Sequence, residues 1–124
     1  MKLFKRLFTS EEIKNTFGYD LQGIVEVGGF KTKQDAVDSW CDEAASNLNN
    51  LIIKNRGIMF AKNIYNIDDE EILNVLKQAQ MYEMLFIIEN GNILASAKLD
   101  NSLKLHSIEA VDLLYSVGIL INGF

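Results

Sequence analysis

The 124-residue sequence contains no proline, one cysteine and one histidine. With Cys41 as its only cysteine, the chain cannot form an intramolecular disulfide, which is typical of proteins in a reducing compartment. With His106 as its only histidine, it cannot build a zinc site from several histidines. No apolar run approaches the roughly 18 residues of a membrane span, and the charged first residues are unlike a secretory signal. We therefore predict a soluble, cytoplasmic protein.

The length and composition predict a single globular domain over residues 1–124. Apolar residues make up 48% of the chain and charged residues 23%, which are ordinary values for a globular protein. A domain of this size buries about two-thirds of the surface of its unfolded chain. It can therefore form a core without disulfides or metals.

The charge is acidic and unevenly distributed. The formal net charge is −5, with six basic and four acidic side chains in residues 1–34, and six basic and thirteen acidic side chains in residues 35–124. An acidic body repels phosphate, so direct nucleic-acid binding is disfavoured and a basic partner is favoured. The alternative is that this charge serves only solubility.

Four segments carry the signals of helices, at about 9–17, 32–55, 68–82 and 107–117. In the longest, apolar residues recur at three- and four-residue spacing, the period of one helix face; they are Val37, Trp40, Cys41, Ala44, Ala45, Leu48, Leu51 and Ile52. Each segment begins at a residue type that caps helices, namely Thr9, Thr32, Asp68 and Ser107.

Other segments carry the signals of strands. Short apolar runs predict strands at 23–27, near 58–64 and at 119–121. The dipeptide Asn90-Gly91 between two apolar runs predicts a hairpin at 84–98 with a type I′ turn. The predicted fold class is α+β, with helices packed on a mostly antiparallel sheet.

The sequence holds few residues suited to catalysis. Cys41 and His106 have the chemistry of a nucleophile and its base, but Cys41 lies on the apolar stripe, where a thiol is inert. A structural or capping role is favoured for His106. Gly23 and Gly28 have the spacing of a phosphate-binding loop, but Gly29 stands where that loop needs lysine. We predict no catalytic residue, no cofactor and no metal.

Two groups of carboxylates are the candidate binding residues. The first lies on the long helix opposite its apolar stripe, with no lysine four residues on to neutralise it. The second places four carboxylates at one helix start, more than capping needs. A solvated helix face is the alternative for both. The predicted partner-binding residues are Asp35, Asp38, Asp42, Glu43, Asp68, Asp69, Glu70 and Glu71.

The chain resembles bacterial toxin-immunity proteins of the contact-dependent growth-inhibition type. The resemblance lies in its size, its acidity, these two acidic groups and the absence of catalytic motifs. Its richness in Asn, Ile and Lys, with 12, 14 and 10 residues, indicates an AT-rich gene. The resemblance covers the whole chain without a diagnostic motif. It implies a non-enzymatic inhibitor that binds and neutralises a cognate basic toxin, such as a nuclease, in the cytoplasm.

Two other classes of function stay open. One is a small enzyme or ligand-binding domain whose site uses carboxylates and backbone amides without a recognisable motif. The other is a small structural subunit that oligomerises through its apolar strands or through an N-terminal stripe of Leu3, Phe4, Leu7 and Phe8.

Overall fold

The computed structural model describes residues 4–25, 29–90 and 106–122, and every structural statement below refers to these residues. This part of the chain forms six helices and no strand. The helices are α1 (Ser10–Phe17), α2 (Leu21–Ile24), α3 (Lys33–Arg56), α4 (Ile58–Ile64), α5 (Glu70–Glu89) and α6 (Ile108–Ser116). None of them is both long and apolar enough to cross a membrane.

The two long helices, α3 and α5, pack against each other in antiparallel directions. The C-terminal half of α3, with Leu48 and Ile52, shares a core cluster with Leu76 near the start of α5. The N-terminal half of α3, with Cys41, shares a second cluster with Met84 near the end of α5. Burial of these faces supplies the main hydrophobic contribution to the fold.

The shorter helices cover the two core clusters. α4, α6 and the segment after α6 contribute to the first cluster, through Ala61, Ile64, Tyr65, Ala110, Leu114, Ile119 and Leu120. The residues before α1, together with α1 and α2, contribute to the second, through Phe8, Ile13 and Leu21. Each end of the α3–α5 pair is therefore closed by a different part of the chain.

Helices lie in all four predicted segments; three differ by one residue at their ends, whereas α5 begins at Glu70 and continues seven residues past the predicted end, to Glu89. Thr9 forms the expected capping box with Glu12, and Thr32 and Ser107 accept hydrogen bonds from the first turns of α3 and α6. The cap of α5 is Asp69 and not Asp68, since the Asp69 carboxylate accepts from two backbone amides of the first turn. These local signals succeed because capping depends on neighbours in the sequence.

The predicted α+β fold is wrong for the described residues, and the hairpin at 84–98 is not formed. Residues 84–89 continue α5, and Asn90 ends it with a φ of −126° instead of the positive φ of a type I′ turn. Residues 91–98 lie outside the described part. A short apolar run fits a buried helix as well as a strand, and here Met84 and Ile87 extend the buried face of α5.

The other predicted strands are also corrected. Residues 58–64 form α4, which restarts after a break of one residue because Gly57 takes a φ of 93° that other residues rarely adopt. Residues 23 and 24 end α2, and residues 26–28 are not described. Ile119 and Leu120 fold back so that both their amides donate to the Leu114 carbonyl.

Cys41 is fully buried, and its burial yields a prediction about its reactivity. Loss of solvation raises the pKa of the thiol to about 11, with the nearby Arg6 guanidinium acting in the opposite direction. Since the thiolate is the reactive form, thiol labelling of the native protein should be far slower than labelling of the unfolded chain. Cys41→Ala should lower the free energy of unfolding by about 1–2 kcal/mol through lost buried volume. Native labelling at the unfolded rate would contradict this burial.

Candidate functional site

The eight predicted partner-binding residues fall at opposite ends of the α3–α5 pair. The group on α3 lies in the half of that helix that packs on the end of α5, whereas the group at 68–71 surrounds the start of α5. At about 1.5 Å of rise per residue, the 20 residues of α5 separate its two ends by roughly 30 Å. The structure therefore does not bring the two groups into one compact site.

The carboxylates at the start of α5 are all exposed. Asp69 is used as the cap: its Oδ1 accepts from Glu71 N at 3.1 Å and Ile72 N at 3.2 Å. Asp68, Glu70 and Glu71 form no ion pair with any residue that the structure describes. Three carboxylates at this end are thus available to an outside cation.

The group on α3 is different, because Arg6 neutralises part of it. Arg6 lies 3.5 Å from a carboxylate oxygen of Asp38 and 3.5 Å from one of Asp42. Asp35 is exposed and Glu43 is half-buried. Residue spacing within α3 does not reveal this ion pair, because Arg6 lies 32 residues before Asp38.

Arg6 belongs to a segment before α1, residues 4–8, which forms no helix or strand and which we call the arm. The arm crosses from α3 to α5, where the side chain of Gln80 bonds its backbone twice. Gln80 Oε1 accepts from Leu7 N at 2.8 Å, and Gln80 Nε2 donates to the Lys5 carbonyl at 2.8 Å. Gln80 is fully buried, so both ends of its amide are satisfied by the arm.

A second buried polar side chain, Glu83, lies one turn further along α5 and is fully buried. Its Oε2 is 2.8 Å from His106 Nδ1, and its Oε1 accepts from Ser107 N at 2.8 Å. Ser107 in turn caps α6 by accepting from Ala110 N. His106 thus has a structural contact, and Glu83 fixes the start of α6 against α5.

Sequence reasoning missed both Gln80 and Glu83, although a signal for them exists. The buried face of α5 includes Leu76, Ala79 and Met84, which have helical spacing. Continuing that spacing through the helix places Gln80 and Glu83 on the same face. Gln80 lies within the predicted helix, whereas the predicted helix end at 82 and the hairpin at 84–98 left Glu83 outside the pattern.

Within the described residues, no three His, Cys, Asp or Glu side chains are grouped to hold a metal ion. Comparisons with protein-family models, with curated proteins and with solved structures gave no match. The arguments for function therefore come from the chain's own surfaces and contacts.

The Glu83 contacts lead to a prediction about stability. Glu83→Ala should lower the free energy of unfolding by about 1–3 kcal/mol or more, the cost of leaving a buried polar group without its partner, because His106 and the Ser107 amide lose their partner. Glu83→Gln should cost less, since an amide oxygen still accepts from Ser107 N. Urea denaturation measures both. The matched control Glu89→Ala, at an exposed position of α5, should change stability by no more than about 0.5 kcal/mol. Equal effects at 83 and 89 would contradict this role.

Proposed function

We propose that the chain is a non-enzymatic, protein-binding inhibitor that neutralises a basic partner, in the manner of an immunity protein bound to its cognate bacterial toxin. The observation that carries the proposal is the exposed acidic group at the start of α5. The resemblance in size and charge to immunity proteins supports the class of partner.

Electrostatics favours a cationic partner for this group. One capping carboxylate, Asp69, already satisfies the first turn of α5, so three further carboxylates add mutual repulsion there. The helix dipole offsets only part of that repulsion. A basic protein surface would relieve it, and its approach would be accelerated by the net charge of −5.

The rigidity of the support also favours a protein partner. The group begins a helix of 20 residues whose buried face is held by α3 and α6. Carboxylates on such a support keep their positions when a partner binds, which reduces the entropy lost on association. A protein that must block a cationic groove benefits from this preorganisation.

The alternative of an oligomeric subunit that associates through its N-terminal stripe is less well supported. Of that stripe, Phe8 is buried in the second core cluster, and Phe4 and Leu7 pack against the first. These side chains are used within the chain. The alternative of an enzyme or ligand-binding domain has no specific observation in its favour.

The test is charge reversal at the start of α5. Glu70→Lys with Glu71→Lys should raise the dissociation constant for the protein encoded by the adjacent gene by about tenfold or more. The same change should abolish growth protection against that protein. Folding should persist, since both side chains are exposed. Wild-type association should slow at higher salt, which screens exposed charges.

The matched control applies the same change of charge elsewhere. Glu11→Lys with Asp112→Lys alters two exposed carboxylates on α1 and α6, and it should leave binding and protection near wild type. If the α5 variant binds and protects like wild type while folded, the acidic group is a solvated helix end and the proposal fails. If both variants weaken binding equally, net charge and not this surface determines affinity.

A further inference from the structure

The contacts of the arm are those of a bound peptide, and they point to a further binding site. We infer that the seam between α3 and α5, formed around Asp38, Asp42 and Gln80, binds extended peptide segments that carry an arginine between apolar residues. The chain's own arm is the resident occupant, and a segment of the same chemistry from a partner protein competes for its place.

The first observation is that Gln80 recognises backbone. Its carboxamide accepts from one arm amide and donates to the carbonyl two residues earlier, at 2.8 Å in each case. Any residue type except proline supplies these two groups. Protein surfaces that bind extended peptides obtain affinity from main-chain hydrogen bonds and specificity from sites for the side chains.

The second observation is that α3 supplies a site for the side chain between those two bonds. Arg6 reaches Asp38 and Asp42 and also donates to the Asp38 carbonyl at 3.4 Å. The Arg6 side chain retains 26% of its exposure, so the ion pairs lie at the protein surface. A partner arginine can therefore reach this site as soon as Arg6 leaves it.

The third observation is that apolar side chains flank the arginine on both sides. Phe4 and Leu7 are half-buried against the first core cluster, and Lys5 is exposed. The recognised pattern is thus an apolar residue, a solvent-facing residue, an arginine and a second apolar residue. This chemistry suits the basic partner of the proposed function and deepens it, but the seam can bind a peptide whether or not the inhibitor role is correct.

The amount of free peptide that the seam binds depends on competition with the arm. The arm is covalently attached, so its effective concentration at the seam is on the order of millimolar. A free peptide of equal intrinsic affinity is therefore largely excluded from the wild-type chain. Weakening the arm should expose the site without altering Asp38, Asp42 or Gln80.

The experiment uses the full chain with Arg6→Ala and Leu7→Pro, which we call the arm variant. The first substitution removes the arginine, and the second removes the backbone N–H that donates to Gln80 Oε1. The probe is a free, blocked peptide with the sequence Phe4-Lys5-Arg6-Leu7, titrated while the side-chain amide signal of Gln80 is followed by NMR. We expect the peptide to shift this signal toward its wild-type position and to bind the variant at least about tenfold more tightly than wild type.

Three controls define the outcome. The peptide with Arg6→Ala should bind the arm variant at least about tenfold more weakly. Adding Asp38→Asn and Asp42→Asn to the arm variant should abolish preference for the arginine peptide, whereas adding Asp68→Asn and Glu70→Gln, at the far end of α5, should not. If the proline substitution prevents folding, Arg6→Ala alone is used, and because it keeps the Leu7 amide on Gln80, the preference for the arginine peptide is then the criterion.

The inference is overturned if the peptide leaves the Gln80 signal of the folded arm variant unchanged, or if the peptide without arginine binds equally well. It is also overturned if wild type forms a dimer that Arg6→Ala dissociates, because the seam then serves arm exchange between two copies. Because the probe is a peptide, failure here leaves the charge-reversal test of the inhibitor role unaffected. If the peptide binds the arm variant but Glu70→Lys with Glu71→Lys leaves toxin binding unchanged, the seam proposal stands and the inhibitor proposal fails.

Discussion

Two polar side chains on the buried face of α5 attach the arm and the start of α6 to the α3–α5 pair. A buried carboxamide or carboxylate without a hydrogen-bond partner costs about 1–3 kcal/mol or more, so a folded chain must bring partners to Gln80 and Glu83. The arm supplies them for Gln80, and His106 with the Ser107 amide supplies them for Glu83. Gln80 therefore attaches the N-terminal arm to α5, and Glu83 attaches the start of α6.

The sequence predicts those features of the fold that depend on near neighbours, and it fails where distant residues decide. The caps at Thr9, Thr32 and Ser107 are confirmed, because a cap acts within three residues. The hairpin is wrong because the apolar residues of 84–88 satisfy strand and helix equally, and packing on α3 decides between them. The strand predicted near 58–64 is also wrong, because the positive φ of Gly57 allows α4 to begin directly after α3.

For the candidate site, too, the sequence predicts features that depend on near neighbours and misses contacts between distant residues. Composition and helical spacing identify both acidic groups, and the group at 68–71 is exposed as its charge density suggested. Spacing within one helix does not reveal that Arg6 neutralises Asp38 and Asp42, because that contact spans 32 residues. Nor does it reveal that the two groups are separated by the length of α5, since their separation follows from the antiparallel packing.

These contacts give the two acidic groups different physical roles. The carboxylates at the start of α5 have no cation among the described residues, so their field extends into solvent and acts on an approaching basic surface before contact. Asp38 and Asp42 share the single positive charge of Arg6, which reduces their field in solvent, and in the proposed seam they bind another arginine only when it replaces Arg6. Under the two proposals, steering and selective short-range recognition use different parts of the α3–α5 pair. A partner that uses both must span at least roughly 15 Å, the rise of the ten residues from Glu70 to Gln80 along α5, which is within the reach of a standard protein interface.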